Sequence, residues 1–207
     1  MRIEKNTKNK MIIFDLDGVL INSKENMRLS WNKVMIEHNL KQNFEEYFKY
    51  VGLPFFKILK KLKITENLKD IKKTYDKNSI KFFKKIKLYP NVKNILTKLK
   101  QNNTLGLVTS KDLKRTEQIV KLFSLKFDYI YSATEGGRGK PNPFQIKKIL
   151  KDSKIPKKNS YYIGDMYVDY LTCKNAKINF IFASYGYGKN DNRYDLKIKN
   201  LNELKKL

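Results

Sequence analysis

Six side chains of the 207-residue chain have types and spacing suited to chemistry. Asp15 and Asp17 stand two apart and are followed by Gly18, directly after the apolar run Met11-Ile12-Ile13-Phe14. Such a run reads as a strand buried on both faces. Its acids then sit at the strand's C-terminal edge, where open α/β sheets bind ligands. Unpaired carboxylates are not core filler; the plainer alternative is a strand end followed by an Asx-type turn. A second apolar run, Leu105-Gly106-Leu107-Val108, ends in Thr109-Ser110. A third, Tyr161-Tyr162-Ile163-Gly164, ends in Asp165, with Asp169 one helical turn on. Lys140 precedes Pro141-Asn142-Pro143, a helix start.

If those three strands are parallel, their ends converge on one crevice. It would hold several acids, a hydroxyl with nearby backbone N–H groups, and one ammonium. Crowded acids repel unless a cation joins them, and oxygen ligands without His or Cys suit a hard ion, Mg²⁺ above all. Asp15, Asp165 and Asp169 are the candidate ligands. The ion and Lys140 would make a positive pocket for a dianionic phosphate, with Thr109 and the Ser110 N–H as donors. A carboxylate there can act as nucleophile. Asp17 can protonate the leaving oxygen and then activate water.

The elements that must position these groups follow from periodicity. Strands are expected at 11–15, 105–108, 127–131, 161–165 and 180–182, alternating with helices. That alternation implies an α/β fold with a doubly wound parallel sheet. Helix faces are expected from Val92, Ile95, Leu96 and Leu99; from Leu113, Val120 and Phe123; and from Phe144, Ile146 and Ile149. Asn200 to Glu203 reads as the capped start of a last short helix. Between Ser23 and Ile86 the β-branched runs stop and apolar residues recur at helical spacing, broken once at Gly52-Leu53-Pro54. The expected division is a core of 1–22 and 87–207, with a small helical cap of 23–86 inserted after the first strand.

Taken in order, Asp-Leu-Asp-Gly-Val-Leu, Val-Thr-Ser, Gly-Lys-Pro-Asn-Pro and Ile-Gly-Asp-Met-Tyr-Val-Asp resemble the four motifs of the haloacid dehalogenase superfamily. The inserted helices resemble its small-cap subgroup, which includes phosphoglycolate phosphatases and β-phosphoglucomutases. The resemblance spans 11–188. It implies that Asp15 is the nucleophile and a Mg²⁺ ligand. Asp17 would be the general acid/base and would lend the ion its carbonyl. Thr109 would hold the phosphoryl group and Lys140 would neutralise charge. Asp165 would ligate the ion, and Asp169 would do so through water or orient Lys140. An Asp nucleophile disfavours dehalogenation itself, and Asp17 disfavours the ATPase branch. Met166-Tyr167 are bulkier than the small residues often found after the fourth-motif acid.

The implied activity is a Mg²⁺-dependent phosphatase acting on a small phosphorylated metabolite through an aspartyl phosphate. A sugar phosphate, a phosphorylated acid and a nucleotide-sugar-linked phosphomonoester all fit. A phosphomutase is the alternative enzyme, and a non-catalytic nucleic-acid binder the alternative outside enzymes. In the cap, Tyr50, Gly52, Phe55 and Lys57 are candidates to face the leaving group, against a plain helix–helix turn. Asn22 and Ser23 would form the hinge. Tyr185-Gly186-Tyr187-Gly188 either lines the entrance or is a loop without function. His38, Trp31 and Cys173 read as packing residues.

Composition sets outer limits. The net charge is +25, but 40 of the 45 basic residues are Lys and only five Arg, scattered along the chain. Arg is the residue favoured for bidentate phosphate and base contacts, so solvated lysines are expected rather than a nucleic-acid face. A general pull on small anions remains. No run of 18 apolar residues and no leader-like segment are visible. With Cys173 alone, no internal disulfide can form. A cytoplasmic monomer or homodimer is expected.

Overall fold

The computed structural model describes residues 10–132, 139–188 and 193–207. Strand β1 (Lys10–Phe14) lies in a six-stranded sheet with β4 (Asn103–Val108), β5 (Tyr129–Tyr131), β6 (Ser160–Gly164), β7 (Asn179–Ala183) and β8 (Leu196–Ile198). The order is β5-β4-β1-β6-β7-β8, and every pairing is parallel. The chain runs outward from β1 through β4 to β5, then crosses back to β6 on β1's other flank. That reversal beside β1 is the topological switch point of the sheet.

Alternation along β1 explains the double winding. Ile12 and Phe14 join one apolar cluster, closed by Val92, Ile95, Leu96 and Leu99 of helix α5 (Val92–Asn102) and Ile119 of α6 (Leu113–Leu122). Met11 and Ile13 point the other way. Their cluster is closed by Ile146 and Ile149 of α7 (Phe144–Ser153) and Cys173 and Ala176 of α8 (Tyr167–Ala176). Met11, Ile12, Ile13 and Phe14 are all fully buried, as a strand sandwiched by helices requires.

After β1 the chain leaves the sheet through β2 (Ile21–Asn22) and returns through β3 (Lys87–Leu88), an antiparallel two-stranded ribbon. Between them lie α1 (Lys24–Glu37), α2 (Phe44–Phe48), α3 (Phe55–Lys61) and α4 (Leu68–Lys81). They enclose a separate apolar cluster centred on Trp31, Tyr47, Ile58, Leu59 and Ile71. An Asn43–Glu46 capping box starts α2.

Four expectations need adjustment. The third strand begins at Tyr129, not Phe127. A sixth strand, β8, forms in a tail expected to be loop. The last element, Leu201–Lys206, is a 3₁₀ segment in which Asn200 accepts from the Asn202 N–H. Leu113 is exposed rather than inward, because the Asp112 cap sets the phase of α6 so that Arg115, Thr116 and Ile119 face in.

Candidate active site

Asp15, Thr109 and Asp165 each follow the last residue of a strand, and those strands are adjacent: β4, β1, β6. The register places Phe14 beside both Leu107 and Ile163, which brings the three strand ends level. The crevice therefore opens at the switch point, on the carboxyl edge of the sheet.

Lys140 is the electrostatic centre. Its ammonium is buried and bonds Asp15 Oδ1 at 2.8 Å and Asp169 Oδ1 at 2.6 Å. Burial works against that charge, but the two carboxylates outweigh it and hold the pKa above its ordinary value. Asp169 is fully committed. Its Oδ2 accepts the Asp165 and Met166 N–H groups at 3.2 and 3.0 Å, and its Oδ1 also receives the Tyr162 hydroxyl at 3.3 Å. Asp165 is held on one side only: Oδ2 accepts the Tyr187 N–H at 2.6 Å, and the buried Oδ1 has no partner among the described residues.

Asp15, Asp165 and Asp169 offer oxygens that all lie within 4.8 Å of one another. With all three ionised and Lys140 the one cation bonded to them among the described residues, two negative charges stay uncompensated there away from water. Burial is the main reason that Asp15 is pushed up to about 7, with Lys140 opposing and Asp169 and Asp17 adding to the rise. Burial likewise raises Asp165 well above the carboxylate range, reinforced by Asp169 and Asp15. The cradle around Asp165 is built from glycine. At Gly18, φ is +83° and a Cβ would lie 2.1 Å from Asp165 Oδ2; at Gly186 it would lie 2.3 Å from Asp165 Cβ. An oxygen-only donor set, excess negative charge and a buried orphan oxygen fit a hard divalent cation.

Asp17 lies apart from that trio. Lys111 bonds its Oδ2 at 3.1 Å, and the Ser23 hydroxyl bonds its Oδ1. Thr109 Oγ1 accepts the Lys111 N–H at 3.2 Å, which leaves its own hydrogen to donate. Ser110 turns its hydroxyl to the Gly52 carbonyl at 2.5 Å, so only its backbone N–H remains for a ligand.

A cavity of about 700 Å³ lies between the sheet edge and α1–α4. Asp15, Asp17, Thr109 and Ser110 line it on the sheet side. Of the four helical-segment candidates, Gly52, Phe55 and Lys57 line it. Tyr50 does not; it packs against the apolar cluster of the helices. Asn22 is exposed in the ribbon, and Ser23 is buried against Asp17. Trp31 and Cys173 are buried, and His38 bonds Thr74 at 2.9 Å.

Sequence reasoning passed over Lys111 and left Tyr187 undecided. Lys111 follows Thr109-Ser110 in the same loop, and that proximity was the available signal. Tyr187 is a three-way tie: its N–H holds Asp165, its hydroxyl accepts the Ser23 N–H at 2.7 Å, and its ring meets Phe48 at 5.3 Å. Tyr162 gave no signal beyond lying in a strand.

These features are those of a hydrolase of the haloacid dehalogenase type. The model of the haloacid dehalogenase-like hydrolase family matches residues 12–183, and the chain belongs to that family. Among curated relatives it is 28% identical over 188 residues to the pyrophosphatase PpaX of Halalkalibacterium halodurans, covering 84% of this chain and 83% of that one. It is 27% identical over 205 residues to the phosphoglycolate phosphatase of Haemophilus influenzae, covering 89% and 90%. A haloacid dehalogenase-like hydrolase of Streptococcus pneumoniae shares the fold, with a TM-score of 0.83 at 19% identity over 96% of this chain and 97% of that one.

Proposed function

We propose that this chain is a Mg²⁺-dependent phosphatase of a small phosphorylated metabolite, working through an aspartyl phosphate on Asp15. The observation that carries the reading is the position of Asp15. It lines the capped cavity and at the same time belongs to the acid trio and the Lys140 pair. The family membership and the phosphatase relatives support it.

Asp15, Asp165 and the Asp17 carbonyl would hold the ion, with Asp169 acting through water or by orienting Lys140; when bound, the ion would supply charge neutralisation and polarisation of phosphoryl oxygens. In the first half-reaction an Asp15 oxygen bonds phosphorus as the phosphorus–oxygen bond to the alcohol breaks. Asp17, in its acid form, gives its proton to the departing oxygen. In the second, water attacks phosphorus, Asp17 takes the proton, and the Asp15–phosphorus bond breaks. Thr109 and the Ser110 N–H hold phosphoryl oxygens throughout, as fixed donors do for developing charge. Residues 23–86 act as the cap that limits water in the cavity.

The test is phosphate release from phosphorylated metabolites, pyrophosphate and phosphoglycolate included, with Mg²⁺ or with EDTA. Release is expected only with Mg²⁺, and Asp15→Asn is expected to abolish it. Release that persists in EDTA or in Asp15→Asn overturns the assignment. Turnover that needs an added bisphosphate points to a mutase instead.

A further inference from the structure

The wall of the cavity opposite the acids is chemically uneven in a way that bears on the leaving group. It is built mainly from apolar and aromatic side chains: Met27, Val51, Leu53, Phe55, Phe56 and Ile58. Phe55 lies 4.9 Å from Tyr75 and 6.5 Å from Tyr47, ring centre to ring centre. Charged side chains share this wall, namely Lys57, Lys69, Lys72 and Asp76, and Lys72 lies 5.8 Å over the Phe55 ring. Between the rings themselves the polar feature is a pair of tyrosine hydroxyls. The Tyr47 and Tyr75 hydroxyls bond each other at 3.1 Å. One hydroxyl hydrogen is spent inside the pair, and the other is left to donate. The Ser110 hydroxyl is occupied by the Gly52 carbonyl.

Size and polarity both discriminate. A cavity of about 700 Å³ is in the range that takes up a whole organic ligand, roughly 300–1,000 Å³. Pyrophosphate or a two-carbon phosphorylated acid would leave most of it unfilled. A sugar could turn some hydroxyls to Lys57, Lys69, Lys72 or Asp76, but those against Met27, Val51, Leu53 and Ile58 would meet side chains that can neither donate nor accept, and each unpaired buried hydroxyl is costly. A flat aromatic ring loses nothing there. It gains area burial and stacking on the Phe55 and Phe56 side. One acceptor on that ring would take the free tyrosine hydrogen.

We propose that the substrate is a phosphomonoester whose alcohol carries an aromatic ring, with Phe55, Phe56 and Tyr75 reading that ring. This inference rests on the phosphatase reading. The aromatic wall selects the leaving group, while Asp15 and Asp17 handle the phosphoryl group. The class is narrower than, and different from, the substrates in the names of the two curated relatives.

The experiment compares kcat/KM with Mg²⁺ for ring-bearing alkyl phosphomonoesters (pyridoxal 5′-phosphate and a nucleoside 5′-monophosphate) against phosphoglycolate, pyrophosphate and glucose 6-phosphate. At least one ring-bearing substrate is expected to exceed every other by about tenfold or more, the worth of one stacking or apolar contact. Phe56 is half exposed, so Phe56→Ala tests the wall without a folding burden. In that variant, and in Tyr75→Phe, the ratio of ring-bearing to small-substrate kcat/KM is expected to fall about five- to tenfold, mainly through KM. Phosphoglycolate, pyrophosphate or the sugar phosphate as best substrate overturns the inference and leaves the phosphatase intact. An unchanged ratio in both variants overturns the assigned residues. No phosphate release from any substrate sinks the phosphatase reading, and the inference with it.

Discussion

Asp165 has one oxygen bonded by the Tyr187 N–H and one buried oxygen that no described residue bonds. Close to Asp15 and Asp169, its charge is a burden on the folded chain unless a cation is present. Asp165→Asn removes that charge and keeps an acceptor for Tyr187. Without metal the variant is expected to melt a few degrees higher, since about 1 kcal/mol corresponds to about 2–4 °C in a chain of this size. Its melting point should no longer respond to Mg²⁺. A lower melting point that Mg²⁺ still raises would sink the assignment of Asp165 to the cation. Asp15 adds a pH dependence with a definite sign. Its ordinary value is 3.8 and its folded value about 7. Between the two, the folded chain keeps a proton that the unfolded chain has released. The contribution is complete below 3.8 and is lost as pH climbs through 7. Mg²⁺ competes for the same site, so its gain in melting temperature is expected to be larger near about pH 7.5 than near about pH 5. Equal gains would contradict a cation at Asp15. Of these groups Asp15, Asp165, Asp169 and Lys140 were legible in the sequence, because each borders a strand or helix signal. Tyr162 was not, since a tyrosine among 13 carries no pattern, and Lys111, one lysine among 40, was marked only by its place just after Thr109-Ser110.

Elements decide how far the helical segment can separate from the sheet. Helix α6 sends the buried Arg115 into α4, where it donates to Ser79 Oγ at 2.7 Å and to the Asp76 carbonyl at 2.9 Å. Ser79 in turn donates to Asn26 Oδ1 of α1 at 3.0 Å. Lys72 adds a looser tie, bonding Asp76 and lying 3.5 Å from Asp112. One guanidinium thus joins three helices across the cavity's margin. Arg115→Ala leaves Ser79 and Asp76 short of a donor, at a cost of about 1–3 kcal/mol in unfolding free energy, read as a lower urea midpoint. If the helices act as a cap, KM is expected to rise more than kcat falls. A kcat loss with KM unchanged would place Arg115 outside closure. Arg115 was invisible in the sequence because basic residues on a helix face normally point to solvent. Helical periodicity did mark helices between Ser23 and Ile86, where α1–α4 lie. It could not mark β2 and β3, whose two residues each hold no period, nor the 3₁₀ character of the last turn.

At the scale of the whole molecule the dominant quantity is charge. The chain carries +25, while the chemistry at its centre is acidic. Among the described residues no helix is long and apolar enough to cross a membrane. The cavity wall includes Lys57, Lys69, Lys72 and Lys111 beside Asp15 and Asp17. A dianion approaching the acids therefore travels through lysines, and low-dielectric walls focus that field. The sequence already showed the lysine excess but not where it mattered, because scattered lysines acquire a direction only after folding. Salt separates a field effect from contact chemistry. The Debye length shrinks from about 30 Å at 0.01 M to about 8 Å at 0.15 M. Over that range, at fixed Mg²⁺, kcat/KM for a phosphomonoester is expected to fall several-fold while kcat holds, since the lost term is the attraction before binding. Lys69→Glu, far more exposed than Lys111, should flatten the slope. A slope as steep as before in that variant would assign the attraction to the global charge rather than to the lysines of the cavity wall.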